Sequence, residues 1–519
     1  MGKDTFDAGS SPSRLGTVVG NTIGQSDPVD RPEYSRTSDL CMHGGEPHLI
    51  LVEPDQAYSQ LTRGPFVKRW NGSSWVQLGG ALETFATSIV TGSRYFPAWP
   101  QIRSDGADVY VAYVVREKDA VGARFHHHVV VQKWDGSSWS VLYDHDPHVT
   151  GETGAVMSLD FDVSDAAAGE WHVAYCKGNI QPGDPDSSSV NGLWYGAHDT
   201  AATRFLVTAD LGTAGGVTHL VIAGEKFFLR CDSDTPFVFT MCDFALVVAD
   251  GTKNHYYAIR MMNPRTATTV QTIEAPLWGG SSSLTSRRNG VGFPLGVSKK
   301  IARGGDDLYL LMLSAPAFGD PPYATDLDFI KYTEPKVVQV LIDGSAAPEL
   351  LDSDPTSDQA YASPRWGVSV PDPNSPSGPG CFVQDDANEN LYWVASYGPA
   401  FPASPARTAV FRDACPGLTP PKEWSRLAHV NAPFQLSGAN TFPPAGDTGP
   451  LDGKDYTLPR PQLVGDWVYV NVYWPGVVGS VSGSPTDYHN AQHIVYRQRI
   501  CRGCDLCIGG GLHIWDRAD

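Results

Sequence analysis

The chain has 519 residues, of which 18% are charged and 11% aromatic, with 53 glycines and 40 prolines, a balance that predicts turn-rich β structure rather than a coiled coil or a disordered polymer. A net charge of −19 argues against a general nucleic-acid binder, which needs a basic stripe, and against adhesion to an anionic bilayer. No 18 apolar residues run together, so no membrane insertion is expected.

Residues 1–37 are polar, rich in Gly, Ser, Pro and Asp, and predict an extended arm with little to bury. The opening MGKDTFDAGSSPSRLG has no basic-then-apolar leader pattern, so synthesis without a signal is expected.

From residue 38 onward one phrase recurs: a Gly or acidic turn, then an alternating run rich in Val, Leu, Tyr and Phe. Its instances are GEPHLILV (45–52), ADVYVAYV (107–114), GEWHVAYC (169–176), GEKFFLRC (224–231), DDLYLLML (306–313), ENLYWVAS (389–396) and GDWVYVNV (465–472). Each reads as a strand. Another strand follows most of them: FVKRW, VVVQKW, GLWYGAH, YYAIRM, VVQVLI, TAVFRD and HIVYRQR. The instances begin 55 to 83 residues apart, which leaves room for four strands and a loop in each unit. No stretch longer than ten residues has a convincing helical period. Four-stranded units repeated around an axis are the blades of a propeller. The expected fold is all-β, a single β-propeller of seven four-stranded blades over 38–500, with six or eight as alternatives. Loops are expected on one face at 314–328, 371–380 and 475–487.

Within this repeat, VKRWNGSSWVQLG (67–79) and VQKWDGSSWSVLY (131–143) are near-copies, and VQVLIDGSAAPELL (338–351) keeps the turn without the tryptophans. Asn71-Gly72 predicts a two-residue type I′ hairpin with Trp70 opposite Ser73 and Lys68 opposite Trp75. The tryptophans are expected to fill the gap between neighbouring blades rather than to form a platform for a sugar ring.

These hairpins, each following a strand of the VYVAY kind, resemble the blades of kelch-like β-propellers. The combination with a leaderless start resembles propeller-bearing structural proteins of bacteriophage virions, such as minor tail and fibre proteins. That resemblance implies a non-enzymatic virion component, in several copies, acting in assembly or host attachment. Its partners would be other virion proteins and a host surface glycan or receptor, and the arm would be ordered by neighbouring subunits. The alternatives are a glycan-binding or glycoside-cleaving β-propeller, and an intracellular kelch-type scaffold.

Residues 501–519 form a Cys-bearing tail, CRGCDLCIGGGLHIWDRAD. Cys501, Cys504 and Cys507 at C-x2-C-x2-C spacing, with His513 beyond, fit a structural zinc site; a disulfide with one thiol left over and free thiols are the other readings. If the ring closes by pairing its ends, Cys41 and His43 come close to this tail. His126 and His128 share a strand face that suits a weak metal contact. The Asp-rich stretches at 160–165, 326–328 and 352–358 could supply oxygen ligands to calcium, although Asp is also a routine turn former. No nucleophile elbow, metalloprotease helix or phosphate loop is present. Glu53, Glu117 and Glu170 are the carboxylates weighed for glycoside cleavage.

Overall fold

Every regular element among the described residues is a β-strand. The computed structural model describes the strands named below, with Leu15 and the segments 44–45, 71–74, 78–83, 105–108, 135–138, 146–147, 164, 166–170, 198–199, 264–267 and 465. The arm supplies β1 (Thr5–Phe6) and β2 (Ser13–Arg14). The first sheet is β3 (Ser38–His43), β4 (Glu46–Pro54), β5 (Thr62–Trp70) and β6 (Trp75–Gln77). The second is β7 (Arg94–Ser104), β8 (Val109–Lys118), β9 (Phe125–Trp134) and β10 (Trp139–His145). The third is β11 (Ala155–Val163), β12 (Trp171–Gly178), β13 (Gly192–Ala197) and β14 (Thr200–Phe205).

In the fourth, β15 (Val217–Leu220) and β16 (Phe227–Asp232) both pair with β17 (Thr235–Val247), followed by β18 (Lys253–Asn263) and β19 (Thr268–Ile273). The fifth is β20 (Val291–Val297), β21 (Asp307–Ala315), β22 (Glu334–Leu341) and β23 (Glu349–Asp352). The sixth is β24 (Phe382–Asp385), β25 (Asn390–Tyr397), β26 (Arg407–Ala414) and β27 (Ser425–Arg426). The last begins with β28 (Gln462–Val464) and β29 (Trp467–Trp474). A separate hairpin, β30 (Val477–Val481) with β31 (Ser484–His489), interrupts it before β32 (Gln492–Cys501).

All pairings are antiparallel, and each sheet is a meander from its first strand outward. First strands touch in order: β3 lies against β7, β7 against β11, β11 against β16, β16 against β20, β20 against β24, β24 against β28. The circuit closes because β28 lies against β3. This is the arrangement of a β-propeller, in which sheets protect one another's edges. The closing sheet uses both chain ends, since β1 and β2 pair along β32 outside β29 and β28. Those arm segments are therefore held by the chain's own last strand.

Six of the seven recurring strand phrases form the second strand of a sheet. The fourth, GEKFFLRC, is the exception, because its strand β16 is a first strand and β17 takes the second place. The segment at 475–487, expected as a loop, carries most of the β30–β31 hairpin. Most of the described turns lie at one end of the strands, where first strands pass to second and third to fourth. Of the other expected loops, 316–328 and 371–380 lie outside the described residues.

The tryptophan hairpins differ from the expected turn. Trp70 lies opposite Trp75 and Trp134 opposite Trp139, so each loop has four residues. The Asn71 amide donates to the Ser74 carbonyl at 3.1 Å, and Asn71 Oδ1 accepts from the Ser73 and Ser74 amides at 3.0 and 2.9 Å. Asp135 repeats this with Ser137 and Ser138, both at 2.8 Å. This local side-chain acceptor overrides the two-residue turn. The register moves by two residues, so the expected faces survive.

The indoles face the preceding sheet. Trp70 and Trp75 pack on a cluster of Leu15, Leu40, Leu49, Leu51, Tyr469 and Val495 between the closing and first sheets. Trp134 and Trp139 pack on the cluster between the first and second sheets, around Ile50, Val67, Ile102 and Val111. Trp75 Nε1 donates to the Leu15 carbonyl at 2.8 Å, and Trp139 Nε1 to the Leu78 carbonyl at 3.0 Å. Each hairpin thus latches onto the outermost strand of the sheet before it.

Gly79 sits in this latch with φ at +67°, and a Cβ there would lie 2.9 Å from Trp134 and 3.0 Å from Trp139. Both the positive φ and the backbone approach demand glycine. Gly79→Ala is expected to destabilise the protein by about 1–3 kcal/mol, whereas Gly72→Ala meets only the turn strain and costs less. Thermal denaturation of the two variants checks the order.

Candidate functional site

At the inner edges of the first four sheets, charged residues are buried on first strands. Asp39 (β3) and Asp162 (β11) are fully buried, while Asp160 (β11), Arg230 (β16) and Arg103 (β7) expose only 2%, 4% and 8% of their surfaces. Adjacent first strands splay too far apart to share a ladder, and side chains supply the missing acceptors. Asp39 Oδ2 accepts from the Ile102 amide at 3.2 Å, Asp160 Oδ2 from the Leu229 amide at 2.8 Å, and Asp162 Oδ2 from the Cys231 amide at 2.9 Å. Gln101 bridges β7 to β11 with both ends of its amide, donating to the Leu159 carbonyl at 2.6 Å and accepting from the Phe161 amide at 3.0 Å.

Arg103 gathers the carboxylates. Its Nη1 donates to Asp39 Oδ2 at 2.6 Å, and its Nη2 and Nε stand 3.9 Å from Asp160 Oδ1 and Asp162 Oδ1. Arg230 Nη1 donates to Asp160 Oδ2 at 3.0 Å. Burial would lower the Arg103 pKa, but Asp39, Asp160 and Asp162 together raise it above the usual guanidinium value, so it stays charged. Three carboxylates from the first and third sheets thus meet across one guanidinium from the second.

A second cluster lies at the described turn end of the third sheet. Glu170 precedes β12, His172 lies within it, and His198 opens the β13–β14 turn; one ligand-type atom of each lies within 4.8 Å of the others. Glu170 Oε1 is 3.8 Å from His198 Nε2. His172 is fully buried, its Nδ1 is 2.7 Å from the Tyr195 hydroxyl, and its Nε2 has no hydrogen-bond partner. Burial, aided by the Arg265 charge, lowers the His172 pKa from 6.5 to about 4, so the ring is neutral at pH 7.

The residues singled out in the sequence fall as follows. Cys501 ends β32 opposite Thr5, while Cys504, Cys507 and His513 lie outside the described residues. Cys41 is a buried thiol in the apolar cluster between the first and second sheets, and His43 Nδ1 meets Ser104 Oγ at 2.8 Å. His126 and His128 do share a face, where they meet Asp146 at 2.7 Å and Asp144 at 2.8 Å. Of the Asp-rich stretches, 160–165 supplies the buried carboxylates Asp160 and Asp162, with Asp165 outside the described residues; 326–328 and 353–358 also lie outside them. Glu53 and Glu117 lie at the far ends of β4 and β8, opposite in strand direction to Glu170 at the start of β12, so these three are not brought together. Asp39, Arg103 and Arg230 went unrecognised; their signal was a polar residue inside a short apolar run just before each turn.

No protein-family model and no curated protein matches the sequence. Among solved structures, the chain is similar to an α-L-arabinanase of Penicillium chrysogenum complexed with arabinobiose, at 11% identity and a TM-score of 0.35, over 92% of this chain and 98% of that one. It is similar to the GH93 α-L-arabinofuranosidase of Fusarium graminearum at 10% identity and a TM-score of 0.37, over 77% and 91%. It is also similar to a GH43 endo-arabinanase of Bacillus licheniformis at 9% identity and a TM-score of 0.25, over 64% and 99%. The expectation of a non-enzymatic virion structural protein of a tail or fibre is corrected here, because these similar structures are glycoside hydrolases and the glycan-cleaving alternative fits them better. The expectation that the chain is not an enzyme falls with it. Similarity at this level transfers no residue role.

The depressed His172 pKa has a thermodynamic consequence. Between about pH 6.5 and 4 the unfolded chain binds a proton at this ring that the folded chain refuses. Stability is therefore lost as pH falls through that window, by at most about 3 kcal/mol from this group, and no further below it. In chelating buffer, His172→Asn should flatten this part of the stability–pH curve relative to wild type in denaturant titrations.

Proposed function

We propose that the chain is a seven-bladed β-propeller that binds and cleaves a glycoside, with Asp160 and Asp162 as carboxyl groups of its reaction centre. The observation that carries this reading is the convergence of Asp39, Asp160 and Asp162 on Arg103 at the inner edges of the sheets. Glycosidic cleavage passes through an oxocarbenium-like transition state, and two carboxyl groups flanking the bond suffice for it. Buried carboxylates held in place before the reaction stabilise developing positive charge more strongly than mobile, hydrated ones.

The electrostatics restrict the roles. A carboxylate beside a guanidinium is kept ionised, which suits a nucleophile, a base or a charge stabiliser. The reading gives Asp160 and Asp162, which face Arg103, such a role and not the proton donor's. The donor must come from another carboxyl group. The tryptophan pairs do not enter the site, since their indoles are committed to inter-sheet packing.

Reducing-sugar release by the full-length protein from a panel of polysaccharides, with arabinan first because it suits the named neighbours, tests the reading. Asp162→Asn keeps an oxygen to accept from the Cys231 amide and leaves Asp39 and Asp160 beside Arg103, so it should lower the rate by on the order of 10²–10³-fold while circular dichroism shows the fold retained. Wild type that releases no sugar and is not retarded by any glycan in affinity electrophoresis overturns the proposal.

A further inference from the structure

We propose that Glu170, His172 and His198 form a binding site for a single divalent transition-metal ion, with zinc the best match, at the turn end of the third sheet. Two imidazoles and one carboxylate are a borderline donor set that suits zinc, and three protein ligands leave a fourth position for water.

The backbone builds the cluster. His172 and Ala197 are direct partners in the β12–β13 ladder, and the His198 amide donates to the Trp171 carbonyl at 3.1 Å. Both histidines therefore sit on neighbouring strands at one level. Glu170 is fixed beside them, because its carbonyl accepts from the Ser164 amide at 3.0 Å and closes the β11–β12 loop. The ligand atoms already lie within 4.8 Å of one another, and metal–ligand bonds of about 2.0–2.2 Å need them only about an ångström closer.

The independent observation is the Nε2 of His172. This nitrogen belongs to a fully buried ring and has no hydrogen-bond partner among the described residues, an arrangement that native proteins avoid without cause. The Tyr195 hydroxyl occupies Nδ1, so with Nδ1 protonated and donating to Tyr195 the lone pair rests on Nε2. A metal ion supplies the missing partner. His198 Nδ1 lies 3.9 Å from Asp199 Oδ1, beyond hydrogen-bond distance but near enough to close on it after a small shift. Ligating histidines carry such an outer partner as a rule.

The nearby charges permit a cation. Arg265, from the β18–β19 turn of the fourth sheet, donates to both Asp199 oxygens at 3.0 Å, so Asp199 offsets part of the charge that reaches His172. Glu170 presents its Oε1 toward His198, 3.8 Å from Nε2. His198 is the solvent-facing member and gives the ion a way in.

The test is zinc titration of the chelator-treated full chain by calorimetry, in a Cys504→Ser/Cys507→Ser background so that tail thiolates do not contribute. One ion per chain is expected. Cobalt in place of zinc should give visible absorption without a thiolate charge-transfer band. His198→Ala should weaken binding at least about 100-fold, and Tyr195→Phe about 10–100-fold, both with metal-free melting curves close to the background protein. Glu170→Gln gives a second ligand variant should His198→Ala misfold. No stoichiometric zinc in the background protein, or unchanged affinity in folded His198→Ala or Glu170→Gln, overturns the proposal.

Discussion

The ring depends on a side chain reaching from one sheet to the backbone of the next. Neighbouring first strands cannot continue each other's ladders, yet their amides are buried, and a buried amide without an acceptor is costly. Asp39, Gln101, Asp160 and Asp162 supply those acceptors in turn, from the first sheet through to the fourth. Using carboxylates brings buried negative charge, and that charge in turn requires Arg103 and Arg230. A buried ion network of this kind adds little net stability over apolar packing, but it fails badly when one member is removed. It fixes which sheet faces which, and at what height.

Outside this polar inner edge the spaces between sheets are mainly apolar. The clusters around Val111 and Val173 are non-directional contacts finished by a few directional bonds, such as Trp139 to the Leu78 carbonyl, Gln132 to the Leu82 carbonyl and the Val156 amide to His127. The division has a chemical consequence. Charge is concentrated where first strands converge, and the outer strands contribute shape and stability. The tryptophans, the most conspicuous residues of the repeat, belong wholly to the second category. The third sheet adds a polar exception at its turn end, where His172 is buried without a partner for one nitrogen.

Third and second strands were legible because alternation and the Asn-Gly or Asp-Gly punctuation mark them strongly. First strands were not. DFDV read as part of a turn or a calcium loop, and SDLC and QIRS carry the same polar interruption, since buried charge contradicts the apolar pattern by which strands are recognised. For the same reason Asp160 and Asp162 were noticed as oxygen ligands, while Arg103, 57 positions before Asp160, could not be joined to them without the fold. The Glu170–His172–His198 cluster was hidden by a turn, because His172 and His198 are 26 residues apart in sequence and adjacent only across a ladder. The arm was judged by its composition; its one structural clue was the Leu15-Gly16 pair, which matches Leu78-Gly79 at the end of the first sheet's outer strand.

The closing sheet ties the order of folding to the order of synthesis. Ser13 and Arg14 are made early, but their pairing partners Arg497 and Tyr496 are made more than 480 residues later. At translation rates of about 5–20 residues per second, that interval is roughly 25–100 s. Throughout it the arm has no ladder to join, and the first sheet lacks the neighbour against which Trp70 and Trp75 pack. A polar arm stays soluble during such a wait, whereas a β-prone apolar strand would invite pairing with other chains. The low hydrophobicity of residues 1–37 is thus a kinetic property. It keeps an early-made strand available for a much later one.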